Sequence, residues 1–491
     1  MTTIFGFAAR TCRSRVFLLV VATAGAILPA TSSAQPVVGR VFPATEFARR
    51  RARLMQSIGD GVAIFQGTTE RPGEQPLRQG NEFYYLTGVV EPRAILVVDG
   101  RSRKSALYLA PTNDRREQSM FGPSLIPGDS ASKDTGIEAV LPRQNFGPAL
   151  EAIARENRTI YTPFQPEVLG SASAYDPLAL ARATKNDPWD GRPSREDAFR
   201  AKLKEIAPSS TVMDADPFVD SLRAIKSPLE IAVLRQATRI AGLGIMEAMR
   251  DARPGMREYE LQADAEFVFK KHGAYGPAYF ALIATGDNTY YTHYHKDTAV
   301  LANGDLVQFD YAPDYNYYAS DVTRIFPANG RFTPRQREMY GIYLLLYKAL
   351  MQSIRPYTTP AAIAASAVVK MDSIVAHYPF TEDRIRAAAN SFIDIYRKAP
   401  VRALGHTVGM AVHDVPYAGA TLQPGEIFTI EPEMRIPGEH IGFRLEDMLL
   451  ITENGYENMS AFVPVEINDI ERMMTRHGLS DAALKLPASI K

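Results

Sequence analysis

Cysteine is all but missing from this chain: Cys12 is the only one. A lone thiol excludes an internal disulfide framework, and one near the N-terminus is no candidate for a catalytic nucleophile in the folded body. Net charge is missing too, with 55 Lys+Arg against 55 Asp+Glu, so no long-range field favours nucleic acid, an anionic membrane or an acidic substrate. Tryptophan occurs once, at Trp189. A long apolar run is also lacking. Residues 16–28 form an apolar stretch that falls short of the ~20 residues needed to span a bilayer. Arg10, Arg13 and Arg15 precede it, and Thr31, Ser32, Ser33 and Ala34 follow. This is the pattern of an export signal cleaved near Ala34, which predicts a periplasmic or secreted protein with no stable membrane span and no cysteine once the signal is removed.

What is present points to an enzyme-sized globular chain. At 491 residues, 46% hydrophobic and 22% charged, it exceeds one typical domain. A charged helix is expected over 46–55 and buried strands over 61–65, 94–98 and 106–110, which makes a first α/β domain over 36–216. Residues 163–208 are rich in Pro, Gly, Ser and Asp and read as a turn-rich loop or insertion with no assigned function. A boundary near Asp216 opens a second domain, 217–491. There Ser227 caps and Pro228 starts a helix through 230–249, and further helices are expected over 258–271, 334–354 and 358–376.

The chemistry concentrates in the second domain. Residues 304–310 form a strand pattern ending in Asp310, and 317–326 form another containing Asp321. A two-residue turn at Tyr315 and Asn316 sets 310 opposite 321, with Cβ atoms ~4.5–5.5 Å apart. Strands over 426–434 and 441–451, turning at Gly438 and Glu439, set Glu431 opposite Glu446 in the same way. Ile430 and Leu445 beside these acids predict core strands rather than a solvated face. Carboxylates this close in an apolar setting require a cation or a shared proton. His406 adds an imidazole, and Gly405 and Gly409 around it predict close backbone packing. Four acids and one imidazole make an oxygen-rich, fairly hard site, favouring Mn²⁺, with Zn²⁺, Co²⁺ or Fe²⁺ as alternatives.

These residues bring a family with them. The order Asp310, Asp321, His406, Glu431, Glu446, together with Ser320-Asp-Val-Thr-Arg324, Thr429-Ile-Glu-Pro432 and Gly442-Phe-Arg-Leu-Glu-Asp447, closely resembles the M24 metallopeptidases of the pita-bread fold, whose prolyl members include aminopeptidase P and prolidase. Upstream, residues 78–92 resemble the N-terminal domain of aminopeptidase P. The resemblance implies an α/β (α+β) architecture, a creatinase/aminopeptidase P-like domain followed by a pita-bread catalytic domain. It implies two divalent metal ions: Asp310 on one, Asp321 and Glu446 shared, His406 and Glu431 completing the second. A water or hydroxide between the metals would be the nucleophile, with Glu431 able to take its proton. It further implies that His293 and His413 lie on the substrate side and that Arg444 sits by the shared glutamate, as a partner for the acids or a substrate contact. Peptide substrates follow, cut after the first residue and preferably before proline, and so does a homodimer or homotetramer. An Xaa-Pro dipeptidase, a creatinase-like metal-free hydrolase and a non-catalytic peptide-binding relative are the other readings.

The lining of the site departs from the family pattern. Arg402 stands where prolyl members usually carry histidine, Tyr311 where a small residue follows the first ligand, Glu433 in place of glycine and Thr292 in place of leucine. Arg402 is expected either to grip a substrate carboxylate or to pair with Glu433, and Tyr311 to narrow one side of the cleft.

Overall fold

A computed structural model describes residues 41–69, 76–110, 124–168, 173, 175–398, 403–436 and 438–479. The expected export signal, 1–34, and Arg402 lie outside the described residues.

Strands rich in Val, Ile and Leu build the first sheet. They are β1 (Val62–Gln66), β2 (Ile95–Asp99), β3 (Lys104–Leu109), β4 (Ala139–Pro142), β5 (Ile160–Thr162) and β6 (Val212–Asp214), in the order β4-β3-β2-β1-β5-β6. The three central strands run antiparallel, and the outer ones join in parallel. Burial of four of the five residues in both β1 and β2 explains why they read as continuous apolar runs rather than alternating ones. Leu150 and Leu203, from helices Phe146–Arg155 and Arg195–Ile206, pack on Ile64 and Val97.

The stretch 163–208 is therefore not an irregular insertion. It holds helices Tyr175–Asn186 and Arg195–Ile206, the second capped by Ser194, whose side chain accepts the Asp197 N–H. Turn-forming residues are concentrated between the two helices, at 187–193, and they outweighed the helical spacing on either side in the compositional reading. Leu203 makes the second helix part of the core.

From β6 the chain passes through helix Asp216–Ala224 to helix Pro228–Asp251. Ser227 and Glu230 close a reciprocal capping box at its start, as Ser227 followed by Pro228 predicts. Helix Glu258–Lys271 has the predicted bounds, and helices Pro334–Met351 and Pro360–His377 lie within a few residues of theirs. Helix Asp383–Lys398 was not foreseen.

The strands of the second half form small ladders. β7 (Gly276–Pro277) pairs with β10 (Pro313–Asp314). β8 (Leu282–Thr285), β9 (Leu306–Asp310) and β11 (Thr323–Pro327) stand in the order β11-β9-β8. β12 (Ile427–Ile430), β15 (Asp447–Thr452) and β16 (Gly455–Asn458) make a third ladder, and β13 (Glu433–Ile436) with β14 (Ile441–Arg444) a fourth.

The first acid hairpin differs from its expected register. Asp310 pairs with Thr323, not Asp321, because the turn falls at Asn316 and Tyr317, flanked by the Tyr315–Tyr318 bridge. Both turn residues have positive φ, 55° and 72°, as tight hairpin turns of matching twist require. A shift of two residues preserves parity, so Asp321 stays on the face of Asp310 as a diagonal neighbour. The second hairpin keeps the predicted register throughout: Ile430 pairs with Asp447 and Glu433 with Arg444, so Glu431 and Glu446 face one another in the gap between the two ladders.

Candidate metal centre

The two hairpins are joined at Thr323. Its carbonyl accepts the Glu446 N–H at 3.1 Å, and its hydroxyl donates to Glu446 Oε2 at 2.8 Å. This sets Glu446 beside the strand pair that carries Asp310. Arg324, fully buried, donates to the Glu446 carbonyl at 2.7 Å and to Asp447 Oδ1 at 2.6 Å, pinning the backbone from behind. Tyr343 adds a brace, accepting the Leu445 N–H at 2.6 Å and donating to the Pro432 carbonyl at 2.7 Å. Ile430 and Leu445 are wholly buried, as expected for core strands.

His406 enters from the loop before β12, held by the Thr429 N–H bond to its carbonyl at 2.8 Å. The flanking glycines are needed for that approach: a Cβ at Gly405 would lie 2.1 Å from the Thr429 carbonyl oxygen, and one at Gly409 2.1 Å from Asp414 Oδ2. His406 Nε2 then stands 3.2 Å from Glu431 Oε1, 3.5 Å from Asp321 Oδ2 and 3.9 Å from Glu446 Oε1. One ligand atom from each of Asp321, His406 and Glu446 falls within a 4.8 Å group suited to a metal ion. Asp310 is tied to Asp321 by the Tyr279 hydroxyl, 2.7 Å from an oxygen of each.

Arg444 is the one guanidinium in this set. It pairs with Asp310 and donates to the Thr292 carbonyl at 2.9 Å. His413 stacks on His406 with ring centroids 3.8 Å apart. His293 is exposed and lies near His413.

One lining residue is not where the sequence suggested. Tyr311 follows Asp310 on the strand and so points to the opposite face, where it is buried, donates to Glu266 Oε1 at 2.6 Å and packs on Phe269. It does not line the metal cleft. Glu433 is paired within its own surroundings, to Arg435 at 2.7 Å and to the Thr292 hydroxyl at 3.1 Å.

Tyr279 was missed by sequence reasoning. β8 pairs Leu282 with Asp310, whereas β7 pairs Pro277 with Pro313, a slip of two residues between the ladders. Tyr279 sits in that slip, and such bulges re-aim side chains. No periodicity in the sequence marks it.

The electrostatics demand positive charge. Burial raises the Asp310 pKa to about 7 against the lowering effect of Arg444, and raises Glu446 well above the usual range, with Asp321 and Glu431 adding to it. Burial disfavours the His406 cation, but hydrogen bonds to Asp321 and Glu431 prevail and lift it to about 10. Burial opposes the Asp321 anion as well, yet the same His406 contact holds its pKa down. Two like charges 4 Å apart cost ~4 kcal/mol at an effective dielectric of 20, so four ionised acids exceed what Arg444 and a protonated His406 balance. Glu446 Oε1 is buried with no hydrogen-bond partner. That orphaned oxygen, facing an imidazole and further carboxylates, fits a divalent cation.

Fold and side chains together thus define a class, an α/β protein whose second half carries a buried carboxylate–histidine metal site. Comparison with known proteins narrows it. Residues 232–453 match the model of metallopeptidase family M24, and residues 47–161 that of the aminopeptidase P N-terminal domain. The Xaa-Pro aminopeptidase of Escherichia coli is 31% identical over 449 residues, 87% of this chain and 97% of that one. Xaa-Pro aminopeptidase 3 of Rattus norvegicus is 29% identical over 89% of this chain and 88% of its own. Among solved structures, proline aminopeptidase P II from Yersinia pestis superposes with a TM-score of 0.69 at 31% identity, covering 88% of this chain and all of that one. Aminopeptidase P from E. coli with the inhibitor Pro-Leu gives 0.68 at 30% identity, over 88% and 98%. The chain belongs to metallopeptidase family M24 and is a metallopeptidase of the Xaa-Pro aminopeptidase type.

Proposed function

We propose that this protein is a dinuclear metal-dependent aminopeptidase that removes the N-terminal residue of peptides with proline in second position. The observation that carries the reading is the convergence of Asp310, Asp321, Glu431, Glu446 and His406 with Arg444 as the one permanent cation, His406 being neutral whenever it binds a metal. One divalent ion leaves a single negative charge in excess. Two leave a single positive one, matching the anionic nucleophile that hydrolysis needs. The oxygen-rich set favours Mn²⁺.

In this reading Asp310, Asp321, His406, Glu431 and Glu446 hold the ions. Ions bound there supply acidification of water toward neutral pH and polarisation of the scissile carbonyl. The protein's own groups do the rest. Glu431, with its side chain 28% exposed, is the most open of the four acids and is placed to take a proton from water in the cleft. Arg444 pairs with Asp310 and favours its ionised form against the effect of burial. Burial first, and the neighbouring His406 second, hold the His413 pKa below the usual imidazole value, so it is neutral and able to donate one hydrogen bond at the reacting amide. His293 serves from the rim. Arginines 10, 13 and 15 and the apolar run after them support export as part of the proposal.

The test is a peptide panel with Mn²⁺ in which the second residue varies, run beside metal analysis. Release of the first residue from Xaa-Pro-Yaa peptides with two ions per chain is the expected result. Activity on Xaa-Pro dipeptides alone, or less than one ion per chain after loading, would overturn it.

A further inference from the structure

A cavity of about 220 Å³ opens beside His413. Its walls come from outside the metal-site strands: Tyr175 and Leu178 on helix Tyr175–Asn186, Asp216 and Asp220 on helix Asp216–Ala224, and Glu82 and Val168 from the first half of the chain. The Tyr175 ring stands edge-on to His413 with centroids 6.4 Å apart. His413 in turn stacks on His406, so this imidazole lies between the cavity and the metal cleft. Pockets for whole ligands run ~300–1,000 Å³, so this one has room for a side chain rather than a peptide.

Its charges do not balance. Glu82, Asp216, Asp220 and Asp414 line it against Arg223, with Asp214 and Lys226 close behind. Both cations are already engaged: Arg223 binds Asp414 at 2.5 Å and Glu82 at 2.6 Å, and Lys226 reaches Asp414 at 3.4 Å. Asp216 accepts the backbone N–H groups of Phe164 and Gln165 at 3.0 and 2.8 Å. Asp220 lines the cavity with neither a hydrogen bond nor an ion pair among the described residues. Burial lifts its pKa to about 6, against the pull of Arg223 and with Glu82 and Asp414 pushing further, so an incoming cation relieves a standing cost.

We propose that this cavity is a specificity subsite for a lysine or arginine side chain of the leaving peptide, with Asp220 as its charge partner. It rests on the aminopeptidase reading. A substrate cut after its first residue has a single side chain ahead of the bond, and only the segment behind the bond is long enough to pass His413 and the Tyr175 edge.

The experiment measures kcat/KM of the full-length Mn²⁺-loaded enzyme on Ala-Pro-Xaa-Ala peptides with Xaa as Lys, norleucine or Glu. Lys should exceed norleucine by about fivefold, the scale of a partly exposed ion pair, and Glu should fall below it. In Asp220→Asn the Lys advantage should vanish while the norleucine peptide is cleaved as before. In the unmutated enzyme that advantage should shrink with added salt. Equal rates for all three peptides, a Lys advantage that survives Asp220→Asn, or one seen only when Lys is the first residue would each overturn the subsite. Cleavage of none of the peptides would overturn the aminopeptidase reading itself, and the subsite with it.

Discussion

Glu446 and His413 separate two kinds of contribution at the residue scale. Glu446 is buried, presents an unpartnered oxygen beside Asp321 and His406, and has a pKa that only a cation can bring back to the ionised range. Glu446→Gln keeps the volume and removes the charge, so turnover should disappear together with bound metal. His413 is not among the candidate metal-holding residues and stacks on His406. His413→Ala should retain the metal and lose ~10²–10⁴ in turnover, the range for a general acid–base group. Metal content by elemental analysis beside kcat distinguishes the two, and equal metal loss would show His413 misplaced. Much of this was readable in advance. Gly405 and Gly409 announced the tight packing around His406, because only an absent Cβ allows it. Tyr311 was misjudged although readable: it follows Asp310 on one strand, so alternation alone sends it to the opposite face.

At the scale of elements, the two hairpins explain both a success and an error. Gly438 marked the second turn, and the predicted register holds across all the residues paired there. In the first hairpin the turn moved one residue along, to Asn316 and Tyr317, and every pairing shifted by two. Tyrosine at positive φ is uncommon, so nothing local identified Tyr317 as a turn residue. The acids still met, because a shift of two leaves the faces unchanged. Arg324, buried against Asp447, braces from behind the hairpins that Thr323 joins. Arg324→Met would leave Asp447 buried without its cation and should cost ~3–5 kcal/mol in urea unfolding. Adding Asp447→Leu should recover much of that loss, and failure to recover it would mean that the carbonyl contacts of Arg324 matter more than its charge pair.

The whole molecule carries an excess of buried acid, and its pH dependence follows. Asp310 is raised to about 7, and Asp216 and Asp264 to about 8, each chiefly by burial. A carboxyl raised in the folded state contributes stability that is full below its unfolded pKa and is lost as pH rises through the folded one. His406, raised to about 10, acts with the same sign, whereas Asp321, lowered, matters only in strong acid. Protein stripped of metal should therefore melt at lower temperature at pH 8 than at pH 5. Metal at ~100 times its Kd should restore ~2.7 kcal/mol at pH 8 and little at pH 5, where protons compete for the same ligands. Calorimetry at the two pH values, with and without Mn²⁺, checks this, and a chelated protein more stable at pH 8 would reject it. By itself the sequence determined the order of the four acids and one histidine that converge, most of the strands and helices that carry them and the second hairpin's register, because alternation, caps and turn glycines act over a few neighbouring residues. Tertiary structure alone decided that Tyr279 bridges two acids, that residues 163–208 supply a helix to the core, and that an acid-lined cavity adjoins His413. Each of these depends on chain segments far apart in sequence meeting across a ladder slip or a domain junction, and no local pattern encodes such a meeting.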